Sequence, residues 1–395
     1  MIRVIRGFND MQENLKPVAL VSMPTLSARF PSFQLALLKP TLEKAGIPVQ
    51  TFSLFMYFGT FVGWRINETL ADVYPSMVGE WLWTKSAFGD FANNDEYFEI
   101  YRRNLEGICY KAGCSLDDLK DLRDKAAPAF IDWCVKSVDW SRFRVIGFSV
   151  VFQQTLASIA LAAALKKRYP HIPIMMGGAT FEDDIAEEIM KGCPQVDYIH
   201  CGDADETLPK AIRRVYSGES MKGMPGVMWR DNGRVVYNGR APNLSDMNKT
   251  PTPDFDEYFY ARKQGGYEYD DEAHGVLLPI ETARGCWWGV KNHCTFCGLN
   301  RAGMEFRSKR VENVIEQLDE LSRRYAFSIS TRSTTSSSLN TSTSCLASSA
   351  KPIQTSVCTT KCDQACRACN SNTCARVDCF QFSRESRVFR RTFSS

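Results

Sequence analysis

Arg144-Val145-Ile146-Gly147-Phe148-Ser149-Val150 is a short apolar run that leads into a helical pattern over Thr155 to Arg168 and then into a second apolar run, Ile172 to Met176. Runs of this length without polar interruption suit strands covered on both faces. The alternation continues with a helical pattern over Asp183 to Lys191, a strand over Val196 to Cys201 and a helix from Glu206 to Tyr216. Upstream it begins with a strand over Val18 to Ser22, an amphipathic helix over Phe33 to Ala45 that ends at Gly46, and a strand over Val49 to Leu54. Strands and helices alternating at this spacing predict an α/β fold with a doubly wound parallel sheet. Ligands of such sheets sit outside the carboxyl ends of the strands.

The interval from about 55 to 140 holds no convincing strand and is aromatic and helical in flavour, with Trp81, Trp83, Phe88, Phe91 and Tyr97. It reads as a helical insertion whose aromatics either form its own core or close over the ligand edge of the sheet. Asp231-Asn232-Gly233 between Gly226 to Arg230 and Arg234 to Asn238 is a hairpin signal, because Asn-Gly supplies the positive φ of a tight turn. The hairpin is expected to close a first domain over residues 1–245. Pro242, Pro251 and Pro253 mark a linker into a second domain over 246–327, in which Gly275 to Glu281 reads as a strand and Val311 to Tyr325 as a helix. From Ser328 serine and threonine dominate and periodicity disappears, so 328–395 is expected to be a disordered, low-complexity tail.

Composition excludes some function classes. The 48 basic and 45 acidic residues of this 395-residue chain leave a formal charge of +3, which offers no field for nucleic acid or an anionic membrane. The longest apolar stretch, Leu156 to Leu165, falls short of the roughly 20 residues that a bilayer requires. With no secretion signal, a cytoplasmic protein is expected. There, 15 cysteines argue for metal or redox chemistry over disulfides, and four histidines argue against a histidine-rich metal site.

The chemistry-bearing stretch is Glu281-Thr282-Ala283-Arg284-Gly285-Cys286-Trp287-Trp288-Gly289-Val290-Lys291-Asn292-His293-Cys294-Thr295-Phe296-Cys297-Gly298. Three cysteines on one loop between a strand and a helix can ligate three irons of a cubane cluster and leave the fourth open. The competing reading is structural zinc, which wants four ligands, and His293 beside Cys294 is poorly placed to share a metal with it.

The Arg-Gly-Cys start, the final Cys-x-x-Cys pair and Phe296 before the last cysteine resemble the radical S-adenosylmethionine signature. The first gap is seven residues instead of the usual three. That gap, with Cys286-Trp287-Trp288-Gly289 and Cys294-Thr295-Phe296-Cys297-Gly298-Leu299-Asn300, resembles the RiPP maturation radical SAM protein 1 family. The resemblance implies a 4Fe-4S cluster on Cys286, Cys294 and Cys297 whose open iron binds S-adenosylmethionine and yields a 5′-deoxyadenosyl radical. It also implies a ribosomal precursor peptide as substrate, a reducing electron donor protein as partner, and the first β/α unit of a partial barrel as the fold. The chemistry expected is peptide maturation, plausibly cobalamin-dependent carbon methylation. Two other readings stand beside it: a non-catalytic cobalamin and iron-sulfur binding module, and a zinc-stabilised interaction protein.

The N-terminal sheet resembles the cobalamin-binding domain of that family at Val21-Ser22-Met23-Pro24, at Gly147-Phe148-Ser149-Val150, at Met176-Gly177-Gly178-Ala179-Thr180 and at Cys201-Gly202-Asp203-Ala204-Asp205-Glu206-Thr207. Ser149, Val150, Gly177, Gly178, Asp203 and Glu206 are thereby candidate cobalamin contacts. Singly, Gly177-Gly178 is no more than a tight strand-to-helix turn, and Asp203, Asp205 and Glu206 equally suit a helix N-terminus. The Asp-x-His-x-x-Gly motif that supplies a lower axial histidine elsewhere is absent, since Asp197-Tyr198-Ile199-His200 has the wrong spacing, so no histidine of this sheet is expected to coordinate cobalt.

The resemblance covers about residues 15–327 and stops where composition changes. A shifted reading frame near Phe327 is the expected cause, ahead of a genuine extension or a second metal site at Cys362, Cys366 and Cys369. Translating all three frames downstream of the codons for Tyr325 to Thr335 is expected to recover alternating strand and helix patterns in another frame. If no frame does, the tail is native.

Overall fold

The computed structural model describes residues 15–91, 94–267, 276–292, 294–295 and 303–325, together with the backbone of 329–331, 355–359 and 378–382. Contacts divide the chain into two units. The first comprises residues 1–28, 34–242 and 254–270; the second comprises 29–33, 243–253 and 271–395.

The first unit is a mixed α/β fold on a seven-stranded sheet. Its strands are β1 (Val18–Ser22), β2 (Val49–Ser53), β3 (Val145–Ser149), β4 (Ile174–Gly177), β5 (Tyr198–His200), β6 (Val227–Asp231) and β7 (Arg234–Tyr237), in the order β2-β1-β3-β4-β5-β6-β7. β1 to β5 run parallel, while β6 and β7 form an antiparallel hairpin added to β5. The hairpin turn at Asn232 and Gly233 has positive φ at both positions, which is what the Asn-Gly pair implies.

Both faces of the sheet are covered, and the period-two alternation of strand side chains divides the core in two. Ala19, Val21, Ile146, Phe148, Ile174, Met176 and Ile199 enter one apolar cluster, with residues of α9 (Thr155–Arg168) and α10 (Asp183–Gly192). Val18, Leu20, Val145, Met175, Val227 and Trp229 enter the other, with Leu35 and Leu42 of α1 (Phe33–Lys44) and Leu208, Ile212 and Val215 of α11 (Thr207–Ser217). Each of these large side chains contributes roughly 1.5–3 kcal/mol by leaving water.

Between β2 and β3 the described residues form helices only: α2 (Phe55–Val62), α3 (Trp64–Ala71), α4 (Val78–Trp81), α5 (Thr84–Phe88), α6 (Asn94–Ala112), α7 (Leu116–Asp121) and α8 (Ala127–Ser137). Their aromatics pack on one another: Phe58 lies 5.0 Å from Trp83 and 5.1 Å from Phe130, ring centre to ring centre, and Trp81 stacks on Tyr97 at 5.2 Å. These rings join the same cluster as the first face of the sheet, so the helical layer and the sheet share one core. A further helix, α12 (Asp256–Gln264), is held to β2 by Glu257, which accepts from the Ser53 N–H at 2.9 Å and the Ser53 hydroxyl at 2.7 Å.

In the second unit β8 (Leu278–Ile280) and β9 (Ala283–Arg284) precede the cysteine loop, and β10 (Arg307–Ser308) and α13 (Val311–Tyr325) follow it. β9 and β10 pair antiparallel, Arg284 opposite Arg307 and Ala283 opposite Ser308, so the loop is closed at its base. The expected strand over Gly275 to Glu281 is thus shorter, and a second short strand stands where continuous loop was expected. The expectation of a tail without regular structure is corrected in part: β11 (Ile329–Thr331), β12 (Thr355–Thr359) and β13 (Asp378–Phe382) are strands, in a sheet ordered β12-β13-β11-β8. β11 runs parallel to β8, which makes β8, α13 and β11 one strand-helix-strand unit. These segments are rich in threonine and phenylalanine or hold valine and isoleucine, residue types that suit a pleated strand even where longer periodicity is missing.

Gly178 tests how tightly the sheet edge is built. Its φ is +122°, and a Cβ there would lie 2.2 Å from the Val150 carbonyl oxygen. Gly218, at φ +72°, has open space around the same position. Gly178→Ala is expected to destabilise the chain by about 3 kcal/mol or more, since it adds overlap with backbone to conformational strain. Gly218→Ala is expected to cost about 1 kcal/mol, the strain alone. Denaturant unfolding of the two variants checks the difference.

Candidate functional site

The order β2-β1-β3-β4-β5 reverses direction between β1 and β3, and the carboxyl ends of those two strands therefore border the crevice where open parallel sheets take ligands. The loops that follow them are tied together by two buried amides. Gln154 donates from Nε2 to the Ser22 hydroxyl at 3.3 Å and to the Met23 carbonyl, and its Oε1 accepts from the Val151 N–H. Gln153, at φ +64°, offers its carbonyl to the Thr25 N–H at 3.0 Å. Its side chain accepts from the Gly79 N–H at 2.9 Å and donates to the Val73 carbonyl at 3.0 Å.

Residues 73–80 of the helical layer are thus bonded into the loops after β1 and β3. Thr25 adds a bond from its hydroxyl to the Gly79 carbonyl. Glu80 accepts from the N–H groups of Thr155 at 3.0 Å and Leu156 at 2.8 Å, capping α9 from outside its own chain segment. Burial pushes the Glu80 carboxyl above the usual carboxylate range, against the lowering effect of those two bonds. The aromatic rings of the interval are core, and the turn before α4 is hydrogen-bonded to the loops after β1 and β3. There Phe152 and Tyr74 are each about half exposed, 51% and 55%, with ring centres 5.5 Å apart.

The sequence-derived contacts lie along this edge. The side chains of Ser149 and Val150 are buried, and the Val150 N–H donates to the Gly177 carbonyl at 2.7 Å. Gly178 approaches the Val150 backbone, so its missing Cβ serves contact between the loops after β3 and β4. Asp203 is half-buried and Glu206 exposed; Glu206 stands at the N-cap of α11 without a capping bond from its side chain, whereas the Asp203 carbonyl accepts from the Thr207 hydroxyl at 3.0 Å. Thr207 in turn lies 2.8 Å from Nε2 of His200. Because the hydroxyl proton goes to Asp203, Nε2 is the protonated nitrogen of a neutral imidazole. Burial lowers the His200 pKa to about 4, although Asp203 and Asp205 pull it upward.

Sequence reasoning passed over Gln153, Gln154 and Glu80. The signal for the glutamines was available: two consecutive amides directly after a buried strand, in a loop that would otherwise leave several N–H groups unpaired. No local signal pointed to Glu80, whose partners are 75 and 76 residues away.

In the second unit, Gly285 at φ +79° leaves only 1.9 Å between a notional Cβ and the Glu305 carbonyl oxygen, and Cys286 donates its N–H to the Met304 carbonyl at 3.1 Å. This close crossing explains the Arg-Gly-Cys order: nothing larger than glycine passes under the returning strand. Beyond it the chain turns, with the Cys286 carbonyl accepting from Val290 at 3.0 Å and the Gly289 N–H donating to Cys286 Sγ at 3.3 Å. Cys286 and Cys294 are half-buried free thiols. Cysteine sulfur is the ligand type that iron-sulfur clusters and structural zinc both take, so these two residues fit either metal. Cys297 and His293 lie outside the described residues, and among the described residues no set of three or more His, Cys, Asp or Glu side chains could hold a metal ion.

No protein-family model matches the chain. Among curated proteins it is similar to an uncharacterised methyltransferase of Pyrococcus horikoshii, 25% identical over 184 residues, which is 46% of this chain and 37% of that protein. It is also similar to 4′-phospho-dehydrooxetanocin synthase of Priestia megaterium, 24% identical over 236 residues, 58% of this chain and 29% of that protein. The chain therefore spans well under half the length of the curated relatives it matches. Among solved structures it is similar to the cobalamin-dependent S-adenosylmethionine radical enzyme OxsB with aqua-cobalamin and S-adenosylmethionine bound, at 18% identity and a TM-score of 0.46 over 78% of this chain and 32% of that one. The radical S-adenosylmethionine methyltransferase TsrM from Kitasatospora setae, with tryptophan and a cofactor analogue bound, is similar at 14% identity and a TM-score of 0.45 over 80% and 47%. No helix among the described residues is long and apolar enough to cross a membrane.

His200 sets a pH dependence of stability. Its ordinary pKa of 6.5 falls to about 4 on folding, so between those values the unfolded chain binds the extra proton. Stability from this residue is complete above 6.5 and is lost as pH falls toward 4, on the order of 3 kcal/mol in all. Urea unfolding across this window is expected to show a steeper acid loss for the native chain than for His200→Gln. Equal slopes would exclude His200 as the source.

Proposed function

We propose that the chain is the cofactor-binding front part of a cobalamin-dependent radical S-adenosylmethionine enzyme that matures a ribosomally made peptide by carbon methylation. The observation that carries this reading is the cysteine loop: a strand, a glycine crossing, and two half-buried thiols, one of them receiving a backbone N–H, on the stretch that resembles the family signature. The reading is supported by the similarity to a curated methyltransferase and by a parallel sheet whose switch-point loops are held rigid at their carboxyl ends.

Cys286, Cys294 and Cys297 would hold a 4Fe-4S cluster, which when bound supplies the electron for reductive cleavage of S-adenosylmethionine. The chain's own contribution is placement. Gly285 and the β9-β10 ladder fix Cys286 at the base of the loop, and the Gly289 N–H donates to its sulfur. At the sheet edge, Gln153, Gln154 and Glu80 hold the loops after β1 and β3 in one arrangement, so a large planar cofactor would meet a preformed surface. His200 is committed to Thr207 through Nε2, in keeping with cobalamin bound without a histidine from this sheet. A reducing electron donor protein is the expected partner.

The test is anaerobic reconstitution of the full chain with iron, sulfide and hydroxocobalamin, followed by reduction with S-adenosylmethionine present. The expected result is about four irons and four sulfides per chain, lost in each of Cys286→Ala, Cys294→Ala and Cys297→Ala, with cobalamin retained and 5′-deoxyadenosine formed. Cluster and cobalamin without 5′-deoxyadenosine would replace the enzyme with a binding module. Zinc without iron or sulfide would replace both with a zinc-stabilised interaction protein.

A further inference from the structure

The helical layer of the first unit contains a pair of thiols that the proposed function does not use. Helix α6 ends in a reversal at Gly113, whose φ is +73°. The Cys109 carbonyl accepts both the Gly113 N–H at 2.8 Å and the Cys114 N–H at 3.0 Å. The bond from the residue after the left-handed glycine back to a carbonyl five residues earlier is the Schellman termination, and it brings the side chains of those two residues together. In most helices that contact is between two apolar groups. Here both residues are cysteine.

The two thiols are free, and the reversal sets the residues that carry them against each other. Cys109 is buried, at 5% exposure, while Cys114 is half-buried. The contact belongs to the backbone reversal itself, so it does not depend on a chance rotamer of a distant element. Directly after it, Ser115 caps α7 through a reciprocal pair of bonds with Asp118, which keeps the corner ordered on its other side.

We propose that Cys109 and Cys114 are a redox-active dithiol, a modification site that closes to an intramolecular disulfide when a low-molecular-weight disulfide is the oxidant. Cys114, the more exposed of the two, attacks first as its thiolate. Its sulfur bonds to one sulfur of the oxidant, the oxidant's own S–S bond breaks, and one thiol departs with a solvent proton. Cys109 then loses its proton to solvent and attacks the Cys114 sulfur, and the second half of the oxidant leaves as a thiol. Two cysteines are oxidised and one disulfide is reduced to two thiols. Burial holds both thiols above their ordinary range, Cys109 at about 12, so closure is slow at neutral pH.

The experiment is incubation of the native full chain with oxidised glutathione, quenching with an alkylating reagent, and peptide mapping by mass spectrometry. The expected product is a peptide spanning Cys109 and Cys114 that has lost two hydrogens and takes up no alkyl group, and that regains two alkyl groups after reduction. In Cys109→Ser, which lacks the resolving thiol, Cys114 is expected to stop at the mixed disulfide and carry one glutathione. Persistent glutathione on Cys114 of the native chain would overturn the proposal, because the neighbouring thiol would then have failed to resolve it. Two unmodified thiols in the folded chain, with closure only after unfolding, would equally overturn it and leave the pair as apolar packing. Neither result bears on the cluster or on cobalamin, whose loading is measured separately.

Discussion

The carboxyl edge of the sheet depends on one set of buried hydrogen bonds, those of Gln153, Gln154 and Glu80. A parallel sheet whose strand order reverses leaves two loops diverging from neighbouring strands, and each loop carries backbone groups with no ladder partner. Here the amide of Gln154 reaches across to Ser22 and Met23, and the amide of Gln153 reaches outward to Val73 and Gly79. A buried polar group left without a partner costs about 1–3 kcal/mol. The set therefore stands or falls together, and it ties the helical layer to the sheet at the point where a ligand would bind.

That tie gives the helical layer a second role besides completing the core. Glu80 closes the N-terminus of α9, so the helix that follows β3 is capped by a residue of the layer packed on it. Loss of the layer would uncap the helix as well as uncover Val21, Ile146 and Phe148 on the sheet face beneath it. The same coupling explains why burial can lift the Glu80 carboxyl while the bonds from Thr155 and Leu156 keep it in place. A charged acceptor at a helix N-terminus remains favourable when partly desolvated, because the helix dipole and two N–H donors face it.

In the second unit, steric exclusion does what hydrogen bonding does in the first. The β9-β10 ladder brings Glu305 across Gly285 so closely that a side chain there has no space. Cys286 is consequently fixed in direction by the backbone on both sides, and its sulfur meets the Gly289 N–H. Placement of this kind is independent of side-chain rotamers elsewhere.

The order of strands and helices from Val18 to Tyr237 was legible in the chain, because strands buried on both faces read as apolar runs and the helices between them keep their own period. The hairpin was legible from Asn232-Gly233 for a local reason, the backbone conformation those two residues accept. The cysteine loop stood out by residue type and spacing alone. What no local pattern carried was the sheet order, the bonding of residues 73–80 to the loops after β1 and β3, and the pairing of β9 with β10. These depend on contacts between residues tens of positions apart, whose free energy exists only once the intervening chain has folded. Individual residues divide the same way: Cys286 is marked in the sequence by residue type and spacing, whereas Gly178 and Glu80 acquire their roles only from the backbone that tertiary packing brings against them.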